Sequence, residues 1–372
     1  MLLHRYTCLG SHLYTRHCTT FLLVFAWLSL LPLARSAPAQ TEALQAAIVT
    51  VRAQIPAAAR TAAFLGTERS GSGVVIGEDG LVLTIGYLIL EASEVALVDA
   101  NGTHIPAKIV AYDYDTGFGL VRAESGLVEV EPISFGSSAA VSERQQVIIA
   151  SRIDAPSMQP ALVVSRREFA GYWEYLLENA IFTAPPYAEF AGAALLDVEG
   201  KLIGIGSLYV GDAFRASEPV PGNMFVPIDP LKNRLEQLVD AGRVAGPPRP
   251  WLGVFTRELL DRVFVTFVTP GGPGAEAGLL PKDIVLAVSG VRVQSQAAFY
   301  RELWKTGAAG SEVSVTVLRG AEVKEIVVRS GNREDYYLKD PEPDKRLLPK
   351  GSQAASLSPP SVAMLVDGLA VN

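Results

Sequence analysis

The sequence predicts an all-β architecture of barrel type, with a separate small module towards the C-terminal end. Three observations carry that prediction. Short apolar runs recur in pairs around acidic-Gly turns, as in Val74-Val75-Ile76, Gly77-Glu78-Asp79-Gly80 and Leu81-Val82-Leu83; that is the hairpin spacing of a small barrel. A stiff segment, Gly246-Pro247-Pro248-Arg249-Pro250, follows the last such run and marks a domain boundary. The 372 residues are 49% hydrophobic and 19% charged, enough for two or three domains with proper cores and unlike a disordered chain. The net charge of -7, with no basic block to meet phosphates, argues against a nucleic-acid partner.

In chain order, residues 1–39 read as an export signal. Arg5 and Arg16 precede the apolar run Phe21 to Leu33, and the small residues around Ser36 and Ala39 suit cleavage. The run is shorter than the ~20 residues of a spanning helix. A cleaved signal and a periplasmic or exported location are therefore expected, with a membrane anchor as the alternative because the basic region is long. Cys8 and Cys18 both lie in this segment, so the mature chain is expected to hold no disulfide and no thiolate metal site. His4, His12 and His17 lie there too. The remaining histidine, His104, stands beside a hairpin turn and reads as solvated.

The barrel strands follow. Ala43 to Ala53 starts helical and becomes the strand Ile48-Val49-Thr50-Val51, and Pro56 to Ala63 reads as loop. Hairpins are expected over Gly73 to Thr84 and over Glu94 to Val110. Gln146 to Ala150, Leu162 to Ser165, Trp173 to Leu177, Ile181 to Thr183, Ala194 to Leu196, Leu202 to Ile205 and Asn223 to Ile228 supply further strands. Val210 to Pro221 reads as loop. Leu231, Leu235, Leu238 and Val239 recur at helical spacing, and Gly242 is a natural stop.

Two stretches carry a resemblance. Ser70-Gly71-Ser72-Gly73-Val74-Val75-Ile76 with its turn and Leu83-Thr84, and Gly192 with the Ala194 to Ile205 hairpin, are similar to the segments around the catalytic histidine and serine of the HtrA (Deg) family of trypsin-like serine proteases. The resemblance implies a trypsin-like double β-barrel over residues 45–242 and a linker over 243–250. It also places the triad. The base position falls on Tyr87, the orienting aspartate on Gly117 in Asp113-Tyr114-Asp115-Thr116-Gly117, and the nucleophile on Ala191. The oxyanion glycine falls on Glu189, beside the bulky Phe190. A methyl group cannot attack a carbonyl, and a phenol with a pKa of ~10 is a poor base near neutral pH. Loss of the nucleophile alone costs about six orders of magnitude in a subtilisin-type triad. An inactive homologue, not an enzyme, is expected. Asp113 and Asp115 lack neighbouring ligands for a metal and read as solvated loop carboxylates. No cofactor or metal is expected.

From Trp251 the chain is similar to the PDZ domains that follow such barrels. Trp251-Leu252-Gly253-Val254 matches the loop whose N–H groups capture a peptide's terminal carboxylate, and Pro273 to Leu279 and Lys282 to Val291 match the following turn and hairpin. The resemblance implies a small α+β PDZ domain over 251–330, binding peptides or the C-termini of unfolded proteins. Residues 331–372 turn polar and read as a disordered tail. The function implied is a regulatory, chaperone or adaptor role in envelope protein quality control. A trimer-like homo-oligomer, or one mixed with an active relative, is implied with it. An active serine endopeptidase with a non-standard constellation and a purely structural subunit stay open as alternatives.

Overall fold

The computed structural model describes residues 37–127 and 130–338. The export-signal residues 1–36, with both cysteines, and the tail beyond 338 lie outside the described residues. The chain divides after Glu42, and everything discussed below belongs to the unit that starts at Ala43.

Two closed antiparallel barrels and a sheet domain follow one another. After the helix α1 (Ala37–Ala46), β1 (Ile48–Gln54), β2 (Glu68–Val75), β3 (Leu81–Ile85), β4 (Glu94–Val98), β5 (His104–Tyr112) and β6 (Phe118–Ala123) close in the order β1-β2-β3-β6-β5-β4. The second barrel comprises β7 (Gln146–Arg152), β8 (Pro156–Gly171), β9 (Tyr175–Ala184), β10 (Ala194–Leu196), β11 (Leu202–Phe214) and β12 (Val220–Pro227), ordered β10-β11-β12-β9-β8-β7. Runs that bury both faces, such as Leu81 to Ile85 and Leu202 to Ser207, explain why strict alternation is missing from the sequence.

One apolar cluster runs from Val49, Leu83 and Phe118 of the first barrel to Phe182 and Val226 of the second, while a separate cluster with Val147, Val163, Leu195 and Phe225 belongs to the second barrel. Polar bonds pin the same junction. Arg152 donates from Nε to the Ile48 carbonyl at 2.7 Å, and the Ser72 hydroxyl accepts the Arg152 N–H at 3.0 Å. The Thr50 hydroxyl donates to the Ile153 carbonyl at 2.8 Å. Burial of an aromatic side chain such as Phe182 is worth roughly 1.5–3 kcal/mol, so the cluster dominates and the bonds fix its register.

After two short helices, α2 (Asp229–Lys232) and α3 (Leu235–Ala241), the terminal domain forms one sheet, β13 (Val254–Leu259), β14 (Arg262–Val268), β15 (Ile284–Val288), β17 (Glu312–Arg319) and β18 (Glu322–Arg329), with β16 (Val291–Arg292) paired to β15. The helix α4 (Gln296–Lys305) starts at Ser295, whose hydroxyl accepts the Ala298 N–H at 3.1 Å. It buries Gln296, Tyr300 and Leu303 at helical spacing. Its sheet is sealed by Arg319, which pairs from Nε with the fully buried Asp283 carboxylate at 2.7 Å.

Two expectations are corrected. Val210 to Pro221 is not simply loop: β11 runs to Phe214 and pairs back, Val210 with Gly222 and Phe214 with Val220, across a register shift that hides the strand period. The stretch after Ser330 is ordered as far as Leu338: Gly331 bridges Trp251, and α5 (Arg333–Tyr336) sets the Tyr336 ring 4.9 Å from that of Trp251.

Candidate functional site

Tyr87 lies in a single 3-10 turn, Gly86–Leu88, just after β3. The buried Arg69 guanidinium holds that turn by donating to the Tyr87 carbonyl at 2.7 Å and to that of Leu90 at 3.0 Å. The Tyr87 hydroxyl donates across the junction to the Ser207 carbonyl at 2.9 Å. Burial drives this phenol well above its ordinary range, so it serves as a donor and not as a proton acceptor.

Gly117 accepts the Gly86 N–H at 2.7 Å, which sets the second position against the first. Its φ of +79° suits glycine, and the space a side chain would need is taken: a Cβ would stand 3.3 Å from the Tyr175 hydroxyl. Tyr175 itself donates to the Thr116 carbonyl at 2.5 Å. Tyr87 and Gly117 line one cavity of about 900 Å³, together with Tyr172, Trp173, Phe255 and Tyr336.

The Ala191 carbonyl accepts the Ser72 N–H at 2.8 Å, so the third position is laced to β2 of the other barrel. Gly192 beside it has φ +74°, and a Cβ there would fall 2.0 Å from the Ser72 carbonyl oxygen; only glycine fits this crossing. Glu189 accepts the hydroxyl of the buried Ser151 at 2.5 Å, and that hydroxyl also meets the Tyr187 hydroxyl at 2.5 Å. Phe190 is buried and its carbonyl accepts the Ala193 N–H at 3.0 Å. Asp113, expected to be solvated, is 5% exposed. It takes the Thr116 hydroxyl at 2.6 Å and Arg234 at 3.2 Å, while Asp115 pairs with Arg234 at 3.0 Å and Arg249 at 3.2 Å. These carboxylates are consumed by structural ion pairs. His104 is exposed at the start of β5.

The most telling geometry lies at the other predicted site. Leu252, Gly253 and Val254 direct three successive backbone N–H groups at one carboxylate. The Leu252 N–H donates to Oε2 of Glu174 at 3.0 Å, and those of Gly253 and Val254 donate to Oε1 at 2.7 and 3.0 Å. Glu174 stands in the turn between β8 and β9 of the second barrel. Trp251 is buried beneath the loop. The Glu174 carboxyl, 5% exposed, is pushed up to about 7 by burial, against the pull of the Val254, Leu252 and Gly253 N–H groups and of the Arg333 charge. Burial, joined by the Glu174 charge, holds the nearby Tyr300 phenol well above its ordinary range. The sequence gives no sign of this pairing, because the partners are some eighty residues apart and Glu174 belongs to no motif.

Because the folded-state value of Glu174 lies above its ordinary 4.5, the folded protein binds this proton more tightly than the unfolded chain does. The stabilisation is fully present below 4.5 and is lost as pH rises through about 7, an effect on the order of 3 kcal/mol. Urea unfolding of Glu174→Gln at pH 5 and pH 8 is expected to lack that part of the wild-type difference. An unchanged difference would show that the carboxyl does not titrate in this environment.

Comparison with known proteins follows the same division. A trypsin-like peptidase domain model matches residues 71–205, and a PDZ domain model matches residues 250–329. A probable periplasmic serine endoprotease of DegP-like type from Halomonas elongata is 26% identical over 285 residues, covering 71% of this chain and 57% of its own. Protease Do-like 1, chloroplastic, from Arabidopsis thaliana is 29% identical over 282 residues, covering 70% of this chain and 63% of its own. The chain thus spans under two thirds of the length of these relatives. Serine endoprotease DegS of Haemophilus influenzae is 26% identical over 263 residues, 69% of this chain and 76% of its own. A solved HtrA-type protease, AlgW with decapeptide, shares the fold at TM-score 0.50 and 19% identity, over 80% of this chain and 99% of that one. These names overturn the expectation that the chain is no enzyme, since the relatives it matches are named as serine endoproteases. The expectation rested on Tyr87, Gly117 and Ala191, and three substituted side chains speak for one constellation only. With a trypsin-like peptidase domain followed by a PDZ domain, the chain is similar in sequence and domain order to HtrA-type (Deg) serine proteases.

Proposed function

We propose that this protein acts in protein quality control of the cell envelope by holding the terminal carboxylate of peptides or unfolded chains in the loop Leu252-Gly253-Val254. One observation carries the reading: the three N–H groups of that loop already converge on a carboxylate at 2.7 to 3.0 Å. Consecutive N–H groups turned to one point form an anion-binding nest, and the β13 edge beside it can accept a peptide as an added strand. The solved HtrA-type protease AlgW is described with a decapeptide, a ligand class in keeping with this reading. A periplasmic or exported location fits the name of the Halomonas relative and an export signal over residues 1–39. Among the described residues no helix is long and apolar enough to cross a membrane. An oligomer, of this chain alone or mixed with a relative, accords with the family, and a chaperone or adaptor role with the binding loop.

The reading is tested with a fluorescent peptide ending in an apolar residue, titrated against the full chain as free acid and as C-terminal amide. The free acid is expected to bind at least about tenfold more tightly, since each lost charge-assisted bond costs about 1.5–3 kcal/mol. Equal affinities would remove the carboxylate from the recognition.

A second reading, endopeptidase action, is supported by the relatives' names. Ala191 has no hydroxyl to offer, so the nucleophile in that reading is another residue. Ser151, bonded at 2.5 Å to the Glu189 carboxylate, is the serine with a basic partner near this loop. On this reading a fluorophosphonate probe labels Ser151, and Ser151→Ala stops the cleavage of unfolded casein. Label on a different serine, or cleavage undiminished in the variant, rejects that assignment.

A further inference from the structure

The peptide groove of the terminal domain is not empty in this protein. It is bounded by β13 and α4, and the turn Gly171–Glu174 of the second barrel lies along it. The Tyr172 carbonyl accepts the Thr256 N–H of β13 at 2.9 Å, which is the bond an added peptide strand would make to that edge. The Gly171 carbonyl accepts the Tyr300 hydroxyl of α4 at 2.6 Å. The Glu174 carboxylate ends the run in the three N–H groups of Leu252, Gly253 and Val254. Behind the turn, Leu176 is buried in the apolar cluster of the terminal domain with Leu252, Val254 and Tyr300. Arg301 of α4 clasps the base of the hairpin through Glu168 and Glu178.

We propose that Glu174 is a built-in ligand: the β8–β9 turn occupies the groove as a peptide would, with the Glu174 side chain in place of a terminal carboxylate, and external peptides bind by displacing it. This rests on the peptide-binding reading above and adds its regulation. Two features favour an internal ligand over a mere domain contact. Glu174 takes φ +54°, the left-handed last position of a three-residue hairpin loop that glycine usually fills, yet here the position carries a carboxylate. Its carboxylate is withdrawn from water as well, and the loop N–H groups are its compensation. Both oxygens are engaged, so the nest has no acceptor left to seek while the turn is seated. A groove filled this way binds outside peptide with an affinity lowered by the fraction of time it is open. The protein would then answer to abundant or tightly binding C-termini and ignore scarce ones.

Glu174→Gly tests the proposal, because glycine keeps the left-handed backbone while removing the side chain that carries the carboxylate. Full-length wild type and variant are compared by titration with the free-acid peptide and by hydrogen exchange at the Leu252, Gly253 and Val254 amides without peptide. The variant is expected to bind at least about tenfold more tightly, and its three amides to exchange at least about tenfold faster. Faster exchange with no peptide binding in either protein would uphold the internal carboxylate contact while removing the peptide-binding reading. Equal affinities, or exchange unchanged at the three amides, would overturn the proposal. Should Glu174→Gly fail to fold, Glu174→Gln keeps an acceptor oxygen without the charge and is expected to move both readouts in the same direction by less.

Discussion

One carboxylate and three amides form the central polar contact between the second barrel and the terminal domain. Glu174 projects from the second barrel, and Leu252, Gly253 and Val254 open the terminal domain. Without a carboxylate between them, three buried N–H groups would lack an acceptor and the turn would lose its hold on the groove. An unmade bond of this kind costs more than a made one contributes, so the contact fixes where the terminal domain sits. Leu176 then adds apolar area on the same hairpin, and Arg301 adds charge at its base. The barrels and the sheet domain are thus joined by this ligand-like contact together with packing such as Phe64 against Phe267.

The cleft between the barrels shows the same economy. Tyr87 stands at one of the positions where the resemblance expects a triad and Tyr175 beside another, Gly117, and each spends its hydroxyl on a main-chain carbonyl of another element. Asp113 and Asp115 gather Arg234 and Arg249, tying the first barrel to α3 and to the Pro-rich linker. Gly192 allows the backbone of the second barrel to touch that of Ser72 in the first. The relatives are named as serine endoproteases, and two residues before Ala191 the Glu189 carboxylate accepts the Ser151 hydroxyl.

Much of this was legible in the chain. Paired apolar runs about acidic-Gly turns foretold the hairpins, and the Trp251 to Val254 string foretold the loop, because turn chemistry and strand period are local properties. What escaped was long-range. The extension of β11 to Phe214 lies behind a register shift that breaks the two-residue period. The burial of Asp113 follows from Arg234, more than a hundred residues away. Residues 331–338 are held by the Gly331 bridge to Trp251, the tilted packing of Tyr336 on Trp251 and the Leu338 N–H bond to Glu91, which a polar composition conceals. The capture of Glu174 is the clearest case: an unremarkable glutamate in a hairpin turn becomes a ligand only after two domains have folded.

The Gly253 amide reports on that capture directly. Its proton and nitrogen shifts, followed from pH 5 to pH 9 in the full chain, should titrate with a midpoint at about 7 in the wild type. In Glu174→Gly they should stay flat. A wild-type Gly253 resonance that ignores pH across this range, or one that titrates identically in both proteins, would contradict the account.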